Sequence, residues 1–187
     1  MLASRTKIVF GVVCWLILCS SLIVWVGASN KSEFDPEMRL SSAIMDMNFE
    51  YTVVEKFAPL STVGETRQLF HIYQGDCFCE WLARTHISKL SLWAANQDFA
   101  IIDVNLDEHP ELKPLIPSTP AVLAIDDRHR LIYLGPYSRG SGCFSASGQV
   151  DDVLKQYVER DLAIQNPSTR FPSATIEVDA SGCYCST

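Results

Sequence analysis

The chain has 187 residues, 48% of them hydrophobic and 20% charged. That is enough apolar material for a core, and it excludes disorder as the overall description. The formal net charge of -7, from 22 acidic against 15 basic residues, weighs against a nucleic-acid partner, which calls for a basic surface. Seven cysteines is a high count for this length, so their positions govern which chemistry is open.

Residues 8–27 (IVFGVVCWLILCSSLIVWVG) carry no charge, with Arg5 and Lys7 before them and Lys31, Glu33, Asp35 and Glu37 after. As a helix rising about 1.5 Å per residue they match the roughly 30 Å of a bilayer's hydrocarbon core. The expectation is a single-pass anchor in a bacterial inner membrane. Residues 1–7 would be cytoplasmic and the remainder periplasmic, by the positive-inside rule. Val26-Gly27-Ala28 also fits a signal-peptidase cut, but the run exceeds a usual signal core, which favours retention. Cys14 and Cys19 are then small apolar membrane residues. Without Arg5 and Lys7 the remainder holds 13 basic against 22 acidic residues and faces an oxidising compartment.

Residues 28–67 read as a linker and one or two leading helices, with Asp35 as N-cap and Pro36 at the first helical position. Gln68 to Tyr73 is aromatic and β-branched, a predicted strand. After Gly75-Asp76, Cys77-Phe78-Cys79 opens a helix with Ala83, Ile87, Leu90 and Ala94 on one face. Phe99 to Val104 is a second strand, Ala121 to Ile125 a third, and Leu131 to Leu134 a fourth in a hairpin with it. Gly140 to Gly148 is a Gly/Ser-rich loop holding Cys143, Val150 to Ile164 a helix, and residues 166–187 a tail with Cys183 and Cys185. Residues 68–165 thus predict an α/β domain: a mixed sheet flanked by helices.

Two cysteines where a strand gives way to a helix favour thiol chemistry. The free N–H groups and partial positive charge of a helix N-terminus stabilise the thiolate, the reactive form. Cys77, outermost, is the expected nucleophile and Cys79 the resolving thiol. Asp76 and Glu80 oppose this, since negative charge raises a thiol pKa. Thr119-Pro120 enters the third strand, where a proline that is cis and lacks a ladder N–H leaves the preceding backbone open to an extended substrate.

These residues and the element order resemble the thioredoxin-like superfamily over about Gln68 to Ile164. More narrowly, the chain is similar to a small uncharacterised family of membrane-anchored bacterial thioredoxin-like proteins. That family has Cys-x-Cys in place of Cys-x-x-Cys, a Gly-Pro-Tyr-Ser segment (Gly135 to Ser138), a following loop cysteine and a terminal Gly-Cys-aromatic-Cys. The resemblance implies thiol–disulfide oxidoreductase or isomerase activity with no cofactor, acting on protein thiols and disulfides and recycled by a redox partner. A Cys77–Cys79 disulfide would close a small strained ring, favouring oxidant or isomerase behaviour over reduction.

Cys183 and Cys185 admit three readings. They form a second redox pair exchanging with Cys77 and Cys79, or one bonds Cys143 as a structural staple, or several thiols bind a soft metal. A metal site would use Cys77, Cys79, Cys183 and Cys185, with His71, His86 or His109 adding an imidazole. The blander readings place His71 in the sheet, His86 at the surface, Asp103 and Asn105 at a loop boundary, and Trp81 and Trp93 in packing. A copper-handling protein and a non-catalytic scaffold are the rival functions.

Overall fold

The computed structural model describes residues 2–29, 32–61, 66–140, 148–163 and 173–187. The chain divides into two compact units, Met1–Lys31 and Ser32–Thr187.

The first unit is one helix, α1 (Leu2–Ser29). Among the described residues no helix is long and apolar enough to cross a membrane. The expected transmembrane helix over residues 8–27 is therefore not supported. The inner-membrane location and the cytoplasmic-to-periplasmic orientation that rested on it fall with it.

The second unit is mixed α/β. Its strands and helices are β1 (Ser32–Glu33), α2 (Arg39–Ala43), α3 (Phe49–Phe57), β2 (Arg67–Tyr73), α4 (Phe78–Ala95), β3 (Phe99–Asn105), β4 (Ser118–Thr119), β5 (Ala121–Ile125), β6 (Leu131–Pro136), α5 (Gln149–Ala163), β7 (Thr175–Ile176), β8 (Ser181–Gly182) and β9 (Cys185–Ser186). The main sheet has the order β3-β2-β5-β6-β7. Strands β2 and β3 are parallel, β5 is antiparallel to both β2 and β6, and β7 is parallel to β6. Two small antiparallel ladders, β1 with β8 and β4 with β9, bind the C-terminal segment to the body.

Side chains alternate across the central strands, so each strand feeds two cores. Phe70, Ile72, Leu123 and Ile125 pack with Phe34, Leu40, Val53 and Phe57 on the face carrying α2 and α3. Leu69, Val122 and Ala124 pack with Leu90 of α4 and Leu154 and Tyr157 of α5 on the other. The helix expected at Asp35-Pro36 begins later. Arg39 opens α2 behind Met38 in the left-handed region (φ 53°), and Asp35 instead accepts hydrogen bonds from the Ser41 N–H and hydroxyl at 2.7 and 2.8 Å.

Candidate redox site

Helix α4 starts where β2 ends, and Cys77 is its N-cap residue in extended conformation (φ -81°, ψ 109°). The turn that delivers it is closed by the Cys77 N–H donating to the Gly75 carbonyl at 2.6 Å. Cys77 is half-buried. Cys79, two residues along, points inward and is 7% exposed. The Thr119–Pro120 peptide bond is cis. The Cys77 sulfur lies 3.7 Å from the Thr119 carbonyl oxygen, so both sequence-predicted halves of the site meet.

A disulfide between Cys77 and Cys79, whose consequences the sequence raises, is not formed. Cys77 is bonded to Cys185, and Cys79 to Cys183. The two Cys-x-Cys segments face each other like the uprights of a ladder with two sulfur rungs. The staple to Cys143 is corrected by the same pairing, because both tail sulfurs are taken up at the head of α4. Cys143 itself lies outside the described residues. Cys14 is exposed and Cys19 partly so, and neither forms a disulfide.

The tail reaches this position by strand pairing. In the β4–β9 ladder Thr119 stands opposite Cys185 and Ser118 opposite Ser186. The extended chain expected beside Pro120 is thus present, and it belongs to the protein itself. Further contacts secure it. The buried Tyr184 hydroxyl donates to the Ser138 carbonyl at 2.6 Å, and its ring meets Phe34 edge-on at 5.4 Å. The Thr187 hydroxyl donates to the Ile116 carbonyl at 2.7 Å, and Arg39 donates to the Thr187 carbonyl at 3.4 Å.

The surroundings are acidic and partly aromatic. Glu80 has its carboxyl pKa raised by burial, with Asp103 adding to the shift and Arg84 opposing it. Trp81, expected in packing, is 58% exposed and stacks on the exposed Phe78 at 5.7 Å. Trp93 does pack, against Phe99. Beneath the helix, His71 is buried between Tyr137, on Nδ1, and the Ser91 hydroxyl, 2.7 Å from Nε2. Burial lowers its pKa to about 4, with Asp103 opposing and His86 reinforcing the shift. His86, expected at the surface, is 1% exposed and 2.5 Å from Asp151. It falls on the buried stripe Cys79, Ala83, His86, Leu90, Ala94, whose three- and four-residue spacing was the signal that could have placed it inside. His109 lies apart, bonded to Glu111 at 3.3 Å.

The sulfurs of Cys77, Cys79 and Cys185 all lie within 4.8 Å of one another. Among the described residues they form a cysteine cluster compatible with redox chemistry or metal binding. A cleft of about 900 Å³ beside Asp126, Tyr157 and Arg160 contains no cysteine.

A family model described as a domain of unknown function, DUF6436, matches residues 47–187, about three quarters of the chain. The chain belongs to this family. The DUF6436 match takes in both Cys-x-Cys segments and Thr119-Pro120. No curated protein matches the chain. Its fold compares with the crystal structure of a hypothetical protein, SMc02350, from Sinorhizobium meliloti 1021, at 18% identity and a TM-score of 0.40, over 64% of this chain and 79% of that one.

Proposed function

We propose that this DUF6436 protein is a thiol–disulfide exchange protein of thioredoxin-like type, an oxidoreductase or isomerase. Cys77 is its nucleophile, Thr119 and Pro120 its docking edge, and the C-terminal Cys-x-Cys its built-in disulfide partner. One observation carries the reading: an extended, cysteine-bearing strand sits on the edge beside Pro120, with its sulfur bonded to Cys77. Such an arrangement is what a mixed disulfide with an extended substrate would look like.

In the oxidising direction a substrate thiolate attacks the Cys185 sulfur. The Cys77–Cys185 bond breaks, and Cys77 leaves as a thiolate at a helix N-terminus, which favours that charge. The substrate's second thiol then displaces Cys185. The substrate gains a disulfide, and the rung becomes two thiols. In the reducing direction the Cys77 thiolate attacks a substrate disulfide and expels one substrate thiolate. Cys79 or Cys185 then displaces the other from Cys77. A redox partner restores the starting state.

Reduced protein should catalyse insulin reduction or the reactivation of scrambled ribonuclease, and Cys77→Ser should abolish it. A variant with Cys79, Cys183 and Cys185 all changed to Ser should accumulate a mixed disulfide at Cys77, visible by mass spectrometry. Absence of both turnover and the trapped species would leave the protein a scaffold with structural disulfides.

A further inference from the structure

We propose that, when its two rungs are reduced, Cys77, Cys79, Cys183 and Cys185 hold one thiophilic metal ion, and that Zn²⁺ is the ion this donor set fits. The inference is separate from thiol exchange, since it concerns what the four sulfurs do once they no longer pair.

Geometry is the first support. The sulfurs of Cys77, Cys79 and Cys185 lie within 4.8 Å of one another, and the Cys183 sulfur is bonded to that of Cys79. A tetrahedral zinc–thiolate centre, with bonds of about 2.3 Å, has sulfur–sulfur edges of about 3.8 Å. On reduction the two bonded pairs open by roughly 1.7 Å from a disulfide bond length to reach that figure, and the other pairs among Cys77, Cys79 and Cys185 close by up to roughly an ångström. Four thiolates from two Cys-x-Cys segments make a closed, all-sulfur set, the type zinc takes in structural sites.

The second support is that the tail stays when the rungs open. Its position does not rest on sulfur alone. The β4–β9 and β1–β8 ladders, the Tyr184 bond to Ser138, the Thr187 bonds and the Phe34 N–H bond to the Ala180 carbonyl at 2.7 Å involve no sulfur, so reduction breaks none of them directly. Reduction therefore leaves four thiols confined in one place. Asp76 and Glu80 flank the pair at the head of α4 and oppose the helix N-terminus in stabilising several thiolates at once, an opposition that a bound cation would offset.

The chemistry balances. Two external dithiols deliver four electrons to the two disulfides, become two disulfides themselves, and leave four thiols on this chain. Zn²⁺ binds as those thiols lose their protons to solvent. Oxidation by two disulfide equivalents restores the rungs and expels the ion.

The test uses the full chain, reduced anaerobically with a phosphine and freed of it. Without metal all seven cysteines should alkylate. One equivalent of Zn²⁺ should protect four and leave the other three, Cys14, Cys19 and Cys143, reactive. Co²⁺ should give the charge-transfer and ligand-field bands of a tetrahedral thiolate centre. The oxidised chain should bind neither ion. Cys79→Ser and Cys183→Ser should each remove the protection. Unchanged alkylation with Zn²⁺, an octahedral Co²⁺ spectrum, or protection that survives Cys183→Ser would overturn the proposal. Insulin reduction by the metal-free reduced chain is read alongside, so loss of metal binding and loss of exchange are told apart.

Discussion

Opening the two sulfur rungs one at a time should give strongly unequal losses of stability. The rungs are nested: Cys77–Cys185 spans 108 residues and Cys79–Cys183 spans 104. Either rung alone closes the same long loop in the unfolded chain. In the chain-entropy picture a loop of that size is worth about 4.7 kcal/mol. With one rung closed, the other adds only a ring of roughly six residues, worth roughly 2 kcal/mol by the same relation. Paired substitutions avoid stray thiols. Cys77→Ser with Cys185→Ser, or Cys79→Ser with Cys183→Ser, should each destabilise by about 2 kcal/mol, and all four together by about 7 kcal/mol. Urea denaturation without reductant measures the three variants against the parent. Losses of 4–5 kcal/mol for each pair, adding in the quadruple variant, would refute the nested arrangement. A quadruple variant losing no more than the sum of two small rings would refute the long-range pairing.

Two further outcomes follow from the surrounding packing. His71, held at a pKa of about 4 against 6.5 in the unfolded chain, excludes a proton that unfolding admits, so its contribution is full above about pH 6.5 and falls by about 3 kcal/mol as the pH drops towards 4; equal acid slopes in the parent and His71→Gln would refute it. Tyr184→Phe strands the Ser138 carbonyl and should lower stability by about 1–2 kcal/mol while speeding alkylation of Cys185 in the reduced chain, and unchanged alkylation would show that this bond does not hold the tail.

What the sequence made legible was the local part. The strand from Gln68 to Tyr73, the helix after Cys77, the apolar strand from Phe99 and the hairpin at Ala121 each carry their own periodicity, and the structure has all four within a residue or two. The meeting of Cys77 with Thr119 follows from that order. The seat of the tail does not, because β4 and β9 are two residues each and two-residue strands have no pattern to read. One signal was present. Residues two apart on extended chain face the same side, so Cys183 and Cys185 could address one partner together. The anchor was read from the length of a charge-free run and the charges flanking it, and among the described residues no helix meets the requirement for crossing a membrane.

The docked tail also bears on which substrates the proposed exchange can serve. While Cys77 is bonded to Cys185, no other strand can occupy the edge at Thr119, so the first reaction must be attack on the rung with the tail in place. Once the rung opens, an external strand competes with one that is tethered. A tethered partner acts at an effective concentration on the order of millimolar. Its non-covalent bonds to Ser138, Ile116 and Pro117 strengthen that further. An extended peptide matched only by backbone pairing loses to it. A substrate succeeds by its chemistry, through a thiolate that attacks the half-buried Cys77–Cys185 rung, or by contacts the tail does not use. The exposed Phe78 and Trp81 rings, stacked beside Cys77, offer such contacts. For the proposed exchange, the tail would thus raise selectivity for reactive thiols, through the same contacts that hold it beside Thr119.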